Sequence, residues 1–325
     1  MRTEAFRTWL SLRAYGAVTS TLFRPGTPPL AMRRRFERFG ATSRDRLLRR
    51  HPGLVFGDHA AGGLAMESVC AVAAAERSIL YLHGGAFAMG SPATYRSRAV
   101  RVSYRCRAEV FVPDYRLVPE HAYPAALDDG LAAWRHVRAL RHGPVLLAGD
   151  SAGGGLALSL MLRLRDLGEP APVGAVLLSP WVDLTAPGGE GARDLWLTPD
   201  HLRRWARLYA GAADLGDPSI SPARGALCGL PPFLVLVGEN ELLAEQGRGV
   251  VRRAQEEGTD ARLLVGRGMQ HDWPLTVPWL EESRRAWAQI AAFVAERSSV
   301  TGVARAGPRG RDRSTSSVRL EGGLR

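Results

Sequence analysis

Val145-Leu146-Leu147-Ala148-Gly149-Asp150-Ser151-Ala152-Gly153-Gly154-Gly155-Leu156 is the stretch that decides the fold. Its first four residues are an apolar run of strand length. From Ala152 to Leu167 apolar residues recur at helical spacing until Gly168 and Pro170 stop the pattern. A strand that enters a helix through a glycine-flanked serine is the setting of a nucleophile-bearing turn. The glycines let the chain reverse without a Cβ clash, and the strained turn holds the serine hydroxyl clear of the sheet at a helix N-terminus. Taken alone, Gly149-Asp150-Ser151-Ala152-Gly153 fits a plain strand-to-helix turn equally well, so its surroundings must carry the reading.

Working outward, short apolar runs bounded by turn signals recur at Ser78–Leu82, Val110–Pro113, Ala175–Leu178, Phe233–Val237 and Ala261–Val265, with helical patterns between them such as Ala125–Leu140. This alternation predicts an α/β fold with a mostly parallel sheet covered by helices on both faces. Upstream, Leu54–Asp58 and Met66–Val72 flank an Ala-Ala-Gly-Gly turn and read as an antiparallel edge hairpin, which brings the sheet to about eight strands. Residues 1–50 and an insertion around 185–215 break the alternation; Phe6, Trp9 and Leu10 in the first and Trp196, Leu202 and Trp205 in the second sit at helical spacing. Both are expected to form a helical cap over a catalytic domain spanning 51–297. Residues 298–325, rich in Ser, Gly, Arg and Pro, have the composition of a disordered basic tail.

His83-Gly84-Gly85-Ala86-Phe87 follows the run Ser78–Leu82, and small residues there let backbone N–H groups point at a reacting carbonyl oxygen. Gly84 and Gly85, with Ala152 after the serine, are the expected donors of an oxyanion hole, and His83 is expected to be scaffold. A serine needs a base within reach and an acid behind the base. Of the eight histidines only His201 and His271 follow Ser151, and His201 falls on the cap helix. His271 lies just past the last expected strand, where a loop reaches the carboxyl edge of the sheet. For the acid, Glu239 and Glu241 both follow the strand Phe233–Val237. Asp272 ranks third, because it adjoins His271 and is expected to point away from the ring nitrogen it would have to hold.

From Leu54 to Phe293 the chain resembles the hormone-sensitive-lipase-like branch of bacterial esterases and lipases. The resemblance is carried by HGGAF (83–87), DYRLVPEHAYPAALDD (114–129), GDSAGG (149–154), SPWVDL (179–184), DPSISP (217–222), GLPP (229–232) and GMQHDW (268–273), in that order. It implies the α/β-hydrolase fold and a serine carboxylesterase or lipase-like hydrolase that cleaves small to medium acyl esters through an acyl-enzyme. It also favours Glu241 as the acid, since relatives carry an Asp or Glu two residues before a Leu in this loop and His271 follows Glu241 by thirty positions. The expected triad is therefore Ser151, Glu241 and His271, with neither metal nor organic cofactor. Two departures from the family pattern are Ala86, where relatives have the third glycine of HGGG, and Asn240, where relatives often have Asp. Asp114, Arg116, Glu120 and Asp128 match the family's scaffold network.

The net charge of +11 invites a polyanion partner, but its distribution removes most of that invitation. Residues 1–50 hold 12 Arg against 3 acids and residues 298–325 hold 6 Arg against 2, which leaves the body at −2. No nucleic-acid groove is expected, only weak surface attachment through the basic ends. All 43 basic side chains are Arg, a mark of coding bias more than of function. Cys70, Cys106 and Cys228 are too few and too irregular for a disulfide framework or a zinc site. The start of the chain lacks a signal core and an 18-residue apolar run, so the expectation is a cytoplasmic monomer or homodimer acting on a small-molecule ester. Two other readings share these motifs. One is an enzyme that removes or transfers an acyl group on a natural product; the other is a ligand-binding receptor that has lost its chemistry, against which the presence of His271 argues.

Overall fold

The computed structural model of the protein describes residues 11–14, 16–17, 26–186, 188–189 and 194–303. Eight strands, β1 (Val55–Ala61), β2 (Leu64–Cys70), β3 (Arg77–Leu82), β4 (Ala108–Pro113), β5 (Val145–Asp150), β6 (Ala175–Leu178), β7 (Phe233–Gly238) and β8 (Ala261–Gly266), form one sheet in the order β1-β2-β4-β3-β5-β6-β7-β8. The β1/β2 and β2/β4 pairs are antiparallel, and every pair from β4/β3 onward is parallel. This is the α/β-hydrolase architecture expected from the motifs. β5 and β7, central and parallel, are buried along their whole length, whereas edge strand β1 is largely exposed. The β1–β2 turn is made by Gly62 and Gly63, both at positive φ (62° and 93°), the backbone that a two-residue hairpin requires.

The helices are α1 (Pro29–Gly40), α2 (Arg44–Arg50), α3 (Pro92–Cys106), α4 (Ala125–Leu140), α5 (Ala152–Asp166), α6 (Pro199–Ala210), α7 (Ala244–Glu256), the single turn α8 (Trp273–Thr276) and α9 (Glu281–Val303). α3 and α9 pack together, as do α4 and α5, and the two pairs flank the sheet. Trp134, Trp181, Trp273 and Trp287 are among the largest fully buried side chains. α3 begins in a capping box: Ser91 accepts from the Thr94 N–H and the Thr94 hydroxyl accepts from the Ser91 N–H. α9 runs through Ser298 to Val303, past the point where composition placed the tail. Ser298 and Ser299 turn their hydroxyls onto the carbonyls of Val294 and Ala295, a local pairing that composition does not reveal. Residues 304–325, and Phe6, Trp9 and Leu10, lie outside the described residues.

The N-terminal helices are tied to the body by charge. Arg44 on α2 and Arg96 on α3 both bond the buried carboxylate of Glu67 on β2. On α1, Arg33 donates to the carbonyls of Ala88 and Val118 and forms a two-pronged pair with Glu120. Glu120 and Asp128, the latter paired with Arg163, hold scaffold positions, and the Arg116 guanidinium grips Asp129. Among the described residues no helix is long and apolar enough to cross a membrane, and Cys70, Cys106 and Cys228 are free thiols.

Candidate active site

β5 ends at Asp150 and α5 starts at Ala152, so Ser151 is the whole turn. Its φ of +52° and ψ of −122° lie outside the regions that side chains favour. The turn is tolerated because its neighbours are thin: a Cβ on Gly153 would press into the carbonyl oxygens of Leu82 and His83 far inside van der Waals contact. The serine hydroxyl therefore sits at a helix N-terminus, held over the carboxyl edge of the sheet.

The loop after β8 brings His271 to it. The His271 Nε2 lies 3.0 Å from the Ser151 Oγ, and the ring is 1% exposed. Behind the ring, Glu241 Oε2 stands 3.9 Å from Nδ1, beyond hydrogen-bond length, and among the described residues that nitrogen has no hydrogen-bond partner. Oε2 is held by two donors, the Ser179 hydroxyl at 2.7 Å and the Gly238 N–H at 3.0 Å. Burial pushes the Glu241 carboxyl up to about 8, against the pull of those two hydrogen bonds, and burial likewise pushes His271 below its ordinary value. Glu239, the competing acid, is exposed and accepts from the Gly268 N–H at 2.7 Å. The Asp272 carboxyl lies 3.4 Å from Nε2, the nitrogen that faces the serine, and not at Nδ1. His201 is on α6, stacked on Trp205 at 5.1 Å between centroids.

The loop after β3 differs in one respect from expectation. The Gly84 N–H does not face the serine: it donates to the Tyr95 hydroxyl at 2.9 Å and to Asp150 Oδ1 at 3.1 Å. Asp150 is buried and draws donors; Tyr81 and Tyr95 both bond it, and the Gly84 amide completes the set. The chain then turns through positive φ at Gly85, Ala86 and Phe87. Among the described residues the N–H groups of Gly85, Ala86 and Ala152 have no acceptor, and Gly85 and Ala86 line the same pocket as Ser151. The donor set on offer is thus shifted by one residue from the one expected. His83 is fully buried, bonded through Nδ1 to the Gly84 carbonyl, stacked on Tyr115 at 4.1 Å, and pushed down to about 4 by burial, so it is a neutral scaffold residue.

The cavity over Ser151 is narrow, about 30 Å³. Its apolar wall comes from three separate places: Phe36 on α1, Met89 after the His83 loop, and Trp196, Leu197 and Trp205 from the insertion. Trp196 meets the His271 ring edge-on at 6.1 Å, and both tryptophans of the expected cap insertion border the cavity. Phe36 carried no signal, being one apolar residue on an amphipathic helix. The insertion is fastened to the catalytic loops: Asp194 accepts from the N–H groups of Trp196, Leu197 and Leu242, and Gln270 accepts from the Leu195 N–H.

A family model for the alpha/beta hydrolase fold matches residues 79–275. An acetyl-hydrolase of Streptomyces hygroscopicus is 40% identical over 224 residues, covering 67% of this chain and 75% of its own length. An esterase of Acinetobacter venetianus is 34% identical over 239 residues, 71% of this chain and 78% of its own. Among solved structures, a hormone-sensitive lipase from a metagenome library superposes with a TM-score of 0.78 at 30% identity, over 88% of this chain and 98% of its own. An esterase/lipase from an uncultured bacterium does so with a TM-score of 0.80 at 32% identity, over 89% and 98%. With its sheet order, its serine turn and these relatives in agreement, the chain belongs to the alpha/beta hydrolase fold family, in the hormone-sensitive-lipase-like branch of bacterial esterases.

Proposed function

We propose that the protein is a serine carboxylesterase that hydrolyses esters of small to medium acyl groups through an acyl-enzyme. The observation that carries the reading is the 3.0 Å approach of His271 Nε2 to Ser151 Oγ at a strained strand-to-helix turn. In the first step Oγ attacks the ester carbonyl carbon and its proton passes to Nε2, while Glu241 stabilises the imidazolium across Nδ1. The 3.9 Å separation from Glu241 is of the kind that shortens once substrate binds. The developing oxyanion is received by the N–H groups of Gly85, Ala86 and Ala152, each donor being worth about 10²- to 10³-fold in rate. His271 returns the proton to the leaving alkoxide, and water then repeats the sequence on the acyl-Ser151. The apolar wall of Phe36, Met89, Trp196, Leu197 and Trp205 suits an alkyl acyl or alcohol group.

Ser151→Ala is expected to abolish hydrolysis of a p-nitrophenyl ester and labelling by a fluorophosphonate while leaving the melting curve intact. Retained turnover sinks the assignment. A second reading, removal of an acetyl group from a natural product on the same residues, is favoured by the acetyl-hydrolase among the relatives. Comparing p-nitrophenyl acetate with a panel of acetylated alcohols and amines separates the two, because a dedicated tailoring enzyme ignores the activated ester. A cytoplasmic location, a monomeric or homodimeric state and no more than weak surface attachment through the Arg-rich ends complete the reading, supported by the free thiols and the near-neutral body.

A further inference from the structure

Ser179 follows β6 at the carboxyl edge of the sheet, and the mechanism above gives it no part. It is fully buried, and its φ of +44° is one that a side chain adopts only under constraint. Its N–H donates to the Leu236 carbonyl at 2.7 Å, which anchors it to β7. Its hydroxyl touches both loops that matter. Oγ accepts from the Asp272 N–H at 3.0 Å and donates to Glu241 Oε2 at 2.7 Å. A hydroxyl has one proton, and the incoming amide leaves that proton only the carboxylate to face.

We propose that Ser179 is a positioning residue for the Glu241–His271 pair: one hydroxyl spaces the acid from the peptide that follows the histidine and supports the negative charge of the acid by donating to it. The inference rests on the esterase reading. Other ties between the loops exist, such as the Asn240 N–H to the Met269 carbonyl at 3.0 Å, but they do not touch the carboxylate. Among the described residues only Ser179 and the Gly238 N–H do, both on Oε2. Two donors on one oxygen fix the plane of a group whose terminal torsion is otherwise broad. With one donor gone, the carboxyl is free to swing and its charge is less well supported.

The charged and titratable groups facing the pair are the acids Asp272 on the histidine loop, Asp194 on the insertion and Asp150 at the serine turn, together with the Arg98 guanidinium of α3, which lines the same pocket. Asp194 adds to burial in pushing Glu241 up, while Ser179 and Gly238 pull it down. Deleting the hydroxyl therefore moves the proton uptake of Glu241 to higher pH, and the acid limb of the activity profile moves with it.

Ser179→Ala and Ser179→Gly both delete the hydroxyl, but only glycine relieves the positive φ, so the two differ in melting temperature while sharing the chemical defect. Both are expected to lose about 10- to 100-fold in kcat on p-nitrophenyl acetate, as for a lost hydrogen bond to a charged group, with KM changed less than about threefold. Both are expected to shift the acid limb of kcat/KM upward by the same amount and to keep fluorophosphonate labelling of Ser151. Unchanged kcat and pH profile overturn the proposal, as does a limb shift that follows melting temperature and is absent from the glycine variant. A wild-type protein that neither hydrolyses the ester nor takes the label overturns the esterase reading itself, which is a separate result.

Discussion

Replacing Glu241 by Gln isolates what its charge contributes, because the amide keeps the shape and its oxygen still accepts from Ser179 and Gly238. The imidazolium formed in the first step would face a neutral group at the 3.9 Å that separates Nδ1 from Oε2. At an effective dielectric of about 20, opposite unit charges at that distance attract by about 4 kcal/mol, which corresponds to about 10³-fold in rate. Stability moves the other way. The folded carboxyl is raised from 4.5 to about 8, so the folded state resists ionisation that the unfolded chain allows. Its contribution to stability is fully present below pH 4.5 and is lost as pH climbs to about 8. Glu241→Gln is therefore expected to melt like wild type at pH 4 and several degrees higher at pH 8. Glu239→Gln, on an exposed residue whose oxygen would still serve the Gly268 N–H, is expected to stay within about threefold of wild-type activity. The assay is kcat/KM on p-nitrophenyl acetate with paired thermal melts at both pH values. A loss below tenfold in Glu241→Gln, or a larger loss in Glu239→Gln, refutes the choice of acid.

Because burial holds His271 below 6.5 while lifting Glu241 to about 8, the acid limb of kcat/KM is expected to follow the carboxyl; a titration from pH 5 to 10 that plateaus by pH 6.5 contradicts this. Gly153→Ala is expected to yield insoluble or inactive protein, since its methyl would press into the Leu82 and His83 carbonyls; circular dichroism and a soluble-yield measurement check it. Phe36→Ala opens the apolar wall and is expected to raise kcat/KM about tenfold for acyl chains two carbons longer, at about 0.8 kcal/mol per methylene, as read from a series of p-nitrophenyl esters.

Sequence reading went furthest where one local rule decides the outcome. The strands β5 to β8 announced themselves as apolar runs, and Gly149-Asp150-Ser151-Ala152-Gly153 announced the strained turn, because both depend on residues adjacent in the chain. Matters that hang on side-chain direction were harder to read. Glu239 and Glu241 are equally acidic and two positions apart, and only the packing of their loop turns one outward and buries the other. The Gly84 amide looks like a free donor until Asp150, far along the chain, is seen to claim it. Phe36 is one apolar residue on an amphipathic helix and Ser179 opens the SPWVDL motif without any mark of its role, and their contacts with the site come from distant segments that composition and periodicity do not connect.

Asp194 binds the insertion to the loop that carries Glu241 while Gln270 binds it to the loop that carries His271. Selection for a new substrate would act through Trp196, Leu197 and Trp205, of which the first two share those anchors. The lineage is therefore not free to exchange the whole insertion as a module. Residues 194 to 197 would constrain such a change, leaving α6 as the place where a changed side chain alters the pocket without disturbing those anchors.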